Sequence, residues 1–192
     1  MTDSMFSPLS FNLQHSDFRH KSMIHGRNHV YRVMCHVLVL GQVLEMPRER
    51  NLAFFSAVIH DLARKHDGLC YEHGQWAVEE KLSLFMPQFI ENDLVETDLP
   101  EIKMAVIHHA KPQEISKTHP FYPTTALLKD ADGLDRVRLF DLNTKYLRFP
   151  QTIDYVDFAQ NLYDATNDED FPKFKQFVEI AEKLLGRKIK LN

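Results

Sequence analysis

Between residues 28 and 44 the chain reads "NHVYRVMCHVLVLGQVL", and Val30, Val33, Val37, Leu40 and Leu44 recur there at steps of three and four. That spacing predicts a helix with an apolar stripe turned to a core, entered through Asn28 as N-cap. The same period returns after Pro47, a residue suited to a first helical turn, with Leu52, Phe55, Ile59 and Leu62 on one face. Further helices are predicted from His73 to Pro87, from Pro100 to a stop before Pro112, from Pro123 through Leu128, Asp132, Asp135 and Leu139, and over 151–165 and 172–185. The last one closes at Gly186 behind Phe174, Phe177, Val178, Ala181 and Leu185. No run alternates well enough to specify a strand. The expectation is all-α, a single compact helical bundle of six or seven helices. Residues 1–24 have few periodic apolar positions and read as an irregular arm without chemistry, whereas 25–192 read as the domain, its C-terminal helices completing the bundle.

At 192 residues, 44% apolar and 26% charged, the chain has the size and composition of one globular domain. Its net charge of −4 is spread without a basic stripe, which speaks against nucleic acid as an obligate partner. There is no apolar run of spanning length and no secretory start, so the expectation is a cytoplasmic protein with no membrane partner. Cys35 and Cys70, with no C-x-x-C spacing, fit reduced thiols.

The histidines are the anomaly: 11 in all, most of them in or beside the predicted helices. In "FFSAVIHDLARKHDG" an apolar helix ends by setting His60 directly beside Asp61. His29, His60, Asp61, His73, His108, His109, Asp130 and Asp132 all sit on or next to apolar stripes, and they come from five predicted helices. An unpaired charge is costly to bury, and imidazole with carboxylate is a common ligand set for divalent metals, so a shared cation is the simplest compensation.

"HVYRV" at 29–33, "HD" at 60–61 and "KDADGLD" at 129–135 together resemble the HD-domain metal-dependent phosphohydrolases, whose pattern of histidine, then His-Asp, then a distant aspartate lies on separate helices of an all-α domain. The resemblance covers roughly residues 25–140. It implies His29, His60, Asp61 and Asp132 as ligands of one divalent ion, be it Mn, Fe, Co, Zn or Mg. Asp132 is preferred over Asp130 because it is followed by a second aspartate in "D-x-x-D" and shares its stripe with Leu128; Asp130 stays as an alternate or outer ligand. "EHGQWA" at 72–77 and "IHHA" at 107–110 resemble the extra histidines of branches that bind two metals. The short interval from His60 to His73 and the absence of the "GYP" text of the phosphodiesterase branch favour one ion over two, with His73 and His108 or His109 then serving the substrate.

What this resemblance implies is hydrolysis of a phosphate ester, a nucleotide or similar small molecule being the substrate. Asp61 would hold the attacking water, Arg64 or Lys65 would face the charge on the phosphoryl group, Lys111 would bind substrate phosphate, and a histidine of the 73 or 108 region would protonate the leaving group. Two other readings use the same helices: an HD-type diiron oxygenase and a non-catalytic nucleotide-binding module. His36, Trp76 and Phe85 read as packing residues, and His15, His20, His66 and His119 as surface or loop.

Overall fold

The structure is a computed structural model and describes residues 6–191; the first five residues of the expected arm, and Asn192, lie outside the described residues. Among the described residues the chain is all-α: α1 (Arg27–Val43), α2 (Pro47–Ile59), α3 (His73–Glu80), α4 (Leu82–Glu91), α5 (Leu99–His109), α6 (Tyr122–Leu134), α7 (Val156–Thr166) and α8 (Phe174–Leu185). None of these helices is long and apolar enough to cross a membrane.

α1 is the axis of the bundle, with α2, α6, α7 and α8 packed around it. Every side chain from His29 to Leu40 is buried, so the apolar stripe legible in the sequence belongs to a helix enclosed on all sides. Its N-cap is Gly26, not Asn28. Asn28 already lies inside the first turn, and its amide donates outward to the carbonyls of Thr166 and Glu169 at 2.8 and 2.6 Å. Gly26 suits the preceding bend because a Cβ there would stand 2.5 Å from the Ser22 carbonyl oxygen.

Pro47, Pro100 and Pro123 occupy first turns of α2, α5 and α6, where a missing N–H costs no helical bond. The segment expected as one helix ending at Pro87 is two helices, separated at Lys81, and α4 continues through Pro87 to Glu91. Pro87 cannot donate to the Ser83 carbonyl, and both residues are exposed, where the loss of a helical bond costs least. α6 tightens at its end into the 3-10 helix Asp135–Leu139. α8 closes at Gly186 in the left-handed conformation, with φ 65°.

The N-terminal segment is more than an arm. Phe6, Phe11 and Leu13 are buried in the core, and the two rings meet Phe54 edge-on at 5.3 and 5.4 Å between centroids. Burial of each such side chain stabilises by about 1.5–3 kcal/mol. The segment is thereby fastened across the bundle before it reaches α1.

Two features of the packing have measurable consequences. α3 crosses α5 so closely that a Cβ on Gly74 would lie 2.2 Å from the Val106 carbonyl oxygen, whereas a Cβ on Gly133 in α6 would meet only Leu147 Cδ2 at 3.4 Å. Gly74→Ala is therefore expected to destabilise by about 1–3 kcal/mol in denaturant melts, while Gly133→Ala is neutral or stabilising by up to about 1 kcal/mol. Equal effects of the two substitutions would contradict the close crossing.

His36, fully buried against Phe158, has no hydrogen-bond partner on either ring nitrogen, and burial pushes its pKa down to about 4. The unfolded chain binds a proton at this residue below about pH 6.5 and the folded chain does not, so the residue makes stability fall as pH drops from about 6.5 to about 4, by on the order of 3 kcal/mol across the window. His36→Leu is expected to flatten that part of the stability profile, measured as Tm at pH 7.5 and 5; an unchanged slope would contradict it.

Candidate metal centre

The ends of five helices meet at one point. His29 lies in the first turn of α1, His60 and Asp61 directly follow α2, His73 opens α3, His109 closes α5, and Asp132 is in the last turn of α6. At the centre is the Asp61 carboxylate, buried and within 4 Å of five imidazoles. Its Oδ2 faces His25 Nδ1 at 3.0 Å, His29 Nε2 at 3.3 Å and His60 Nε2 at 3.9 Å. Its Oδ1 faces His73 Nε2 at 3.0 Å and His109 Nε2 at 3.7 Å. Asp132 Oδ1 closes the group at 3.5 Å from His29 Nε2.

The outer nitrogens of these rings are committed. His29 Nδ1 donates to Asp135 Oδ2 at 2.7 Å, His60 Nδ1 to the Ala57 carbonyl at 2.7 Å and His109 Nδ1 to the Val106 carbonyl at 2.6 Å. A neutral ring that donates from Nδ1 presents a lone pair at Nε2. Yet Nε2 of His29 and Nε2 of His60 are 3.2 Å apart. Two lone pairs at that distance repel, and a cation held between them and the carboxylates removes the conflict. His29–His60–Asp132 and His60–Asp61–His109 each bring three ligand atoms within 4.8 Å of one another. Clusters of His and Asp able to hold a metal ion are thus present.

His73 differs from the others in the partners of its Nδ1. The Cys70 carbonyl lies at 2.9 Å as an acceptor, and Arg64 Nη1 lies at 2.9 Å as a donor. Donation to Cys70 leaves a lone pair at Nε2, which with His109 Nε2, 2.8 Å away, and Asp61 Oδ1 makes a further three-ligand group. Acceptance from Arg64 instead leaves His73 with a proton to give from Nε2.

The electrostatics suit ligation. Burial pushes His60 down to about 3, keeping the ring neutral. Burial alone would raise the Asp61 and Asp132 carboxyls, but the surrounding imidazoles hold Asp61 well below the ordinary carboxylate range and Asp132 at about 2. Neutral imidazole and ionised carboxylate are the protonation states a metal requires. Asp135, fully buried, orients His29 and is itself held by Arg32 Nε at 2.5 Å and Arg138 Nη1 at 3.2 Å. A carboxylate behind a ligating imidazole fixes its tautomer and raises its basicity.

Of the residues singled out in the sequence, His29, His60, Asp61, Asp132, His73, His109 and Arg64 come together. Asp130 does not. Two residues before Asp132, it points to the other side of α6 and accepts from the amides of Arg148 and Phe149 and from Thr152 Oγ1 at 2.8, 3.0 and 2.9 Å. His108, one residue from His109, faces Lys111 and Lys129 rather than Asp61. Lys65 is exposed, with its ammonium 3.5 Å over the Trp76 ring, and so belongs to the solvated surface. Lys111 meets this neighbourhood through its carbonyl, which accepts from Lys129 Nζ at 2.9 Å.

Two residues were missed. His25 lies in the bend before α1, outside any helical period, and gave no signal; Asp135 was read only as a spacing marker, although its place one turn after Asp132 on the same stripe foretold the contact with His29. A cleft of about 700 Å³ leads outward from His29, Arg32 and Arg138 between the N-terminal segment and residues 163–170.

A divalent ion supplied at a hundredfold excess over its Kd is expected to stabilise the chelator-treated protein by about 2.7 kcal/mol, read as a rise in Tm. His109→Ala is expected to weaken that response and His108→Ala to preserve it. The absence of any response in the wild-type protein would contradict the site. No protein-family model matches the chain, and no curated protein and no solved structure matches it.

Proposed function

We propose that the protein is a divalent-metal-dependent phosphohydrolase acting on a nucleotide or other small phosphate ester. The observation that carries this reading is the convergence of imidazoles on Asp61, with the lone pairs of His29 and His60 facing one another across 3.2 Å. His29, His60, Asp61 and Asp132 would hold the ion. A cleft of about 700 Å³ fits a small metabolite, and its lining, with Arg19, Lys21, Arg27, Arg32 and Arg138 against Asp168, Glu169 and Asp170, favours an anionic one. The motif order shared with the HD-domain phosphohydrolases points the same way.

A divalent ion bound here would polarise a phosphoryl oxygen and lower the pKa of water from about 15.7 towards about 7. The rest is the work of the chain. Asp61, ionised and buried, accepts the hydrogen bond that orients the attacking water. Arg64, with Nη1 3.7 Å from Asp61 Oδ1, counters charge growing on the phosphoryl oxygens. When Arg64 donates to Nδ1 of His73, that ring carries a proton on Nε2 and can pass it to the leaving oxygen. Asp135 and the carbonyls of Ala57 and Val106 keep the remaining imidazoles from turning.

One observation favours a second reading. The two oxygens of Asp61 face separate histidine sets, as a carboxylate bridging two ions would, and two irons per chain with oxygen consumption would identify an HD-type oxygenase.

The test is elemental analysis of the purified protein followed by a phosphatase and phosphodiesterase panel with Mn, Co and Mg. Phosphate release is expected, and Asp61→Ala is expected to lose metal and at least about 10³-fold in turnover while its circular dichroism stays helical. Full activity in that variant would sink the mechanism; nucleotide binding without any phosphate release would mark a binding module instead.

A further inference from the structure

One turn before Asp132 on the same face of α6 stands Lys129, close enough for the charge of Asp132 to act on its ammonium. Its side chain is 4% exposed, and beside it lies Arg148, 15% exposed. Both cations grip one oxygen: Glu114 Oε1 is 2.9 Å from Lys129 Nζ and 2.6 Å from Arg148 Nη2. Glu114 itself is 45% exposed, on the loop between α5 and α6. The other carboxylate nearby, Asp130, is occupied by the backbone amides of Arg148 and Phe149.

Without Glu114, Lys129 would lose its ion pair and Arg148 would keep only Asp130, 3.4 Å from Nη1, a shortfall of negative charge that a largely buried setting tolerates poorly. Two donors converging on one carboxylate oxygen offer what a phosphoryl oxygen would accept. The group also has capacity that Glu114 does not use: Arg148 Nε and His108 Nδ1 are buried with no hydrogen-bond partner, and His108 lies near enough to Lys129 and Glu114 to feel their charges. Glu114 is the most exposed of the three charged groups, on a solvent-facing loop.

We propose that Lys129 and Arg148 form an oxyanion subsite beside Asp132, for a phosphoryl group of the substrate, which Glu114 closes when the subsite is empty. The phosphoryl assignment rests on the phosphohydrolase reading. The subsite itself rests on the paired cations and their exposed carboxylate cover. It also reassigns the substrate-phosphate role that the sequence suggested for Lys111.

Inorganic phosphate, titrated calorimetrically into the full chain, is the probe. Glu114→Gln keeps the size of the cover but removes its charge, and is expected to tighten phosphate binding by about tenfold. Adding Lys129→Gln or Arg148→Gln to Glu114→Gln is expected to abolish that gain. Two such variants guard against one failing to fold, with circular dichroism confirming the helix content of each. Unchanged phosphate affinity in Glu114→Gln, or a gain that survives loss of either cation, would overturn the proposal and leave an ion pair that merely fastens the loop to α6. Because the readout is binding, the two readings can fail separately. Hydrolysis with no effect of Glu114→Gln on phosphate would remove the subsite alone, whereas the expected binding pattern without hydrolysis of any ester would remove only the phosphohydrolase.

Discussion

A carboxylate enclosed by imidazoles sets the terms for this molecule. Asp61 is almost wholly removed from water and ionised, while the same burial pushes the His60, His25 and His73 rings beside it towards the neutral form. A buried carboxylate whose one cationic neighbour among the described residues, Arg64, stands 3.7 Å from a single oxygen is a costly arrangement. Imidazole dipoles offset part of that cost, but the facing lone pairs of His29 and His60 work against it. A cation answers both problems at once, since it pairs the charge and accepts the lone pairs. The arrangement makes physical sense as a binding site and little sense as a hydrophobic core.

The scaffold delivers the imidazoles through helix ends rather than helix middles. At a helix C-terminus the last carbonyls have no helical partner, and these take up the Nδ1 protons: Ala57 for His60 and Val106 for His109. The backbone that ends each helix thus fixes the tautomer of the ring it carries. Gly74 has a matching role, since only a residue without a side chain lets α3 lie close enough to α5 for His73 and His109 to meet. Asp135, braced by two arginines, does for His29 what carbonyls do for the others.

Much of this was legible in the sequence because helical periodicity and helix-end chemistry are local. The apolar steps of α1, the prolines opening α2, α5 and α6 and the glycine closing α8 each report on neighbours within a few residues. So does the placement of His60, Asp61 and Asp132 where apolar stripes end. What stayed hidden depends on distant contacts. That α1 is buried on every side follows from the helices around it, not from its own pattern. His25 belongs to the site because a non-helical bend carries it there, and no period marks a bend. The choice between His108 and His109, and between Asp130 and Asp132, turns on which way a helix faces once packed, and the apolar stripe indicates it in both cases: Ile102, Ala105 and Val106 for His109, and Leu128 for Asp132. Lys65 shows the converse: closeness in sequence to Asp61 did not bring its ammonium to the site, because the turn after α2 sends it over Trp76.

The central claim is that the facing imidazoles of His29 and His60 share a cation with Asp61 and Asp132. Anomalous diffraction from crystals grown with manganese tests it most directly. The account expects a peak within about 2.0–2.3 Å of both Nε2 atoms, with Nδ1 of His29 still on Asp135. A map with no peak there, the two rings turned apart and ordered water around Asp61, would contradict it.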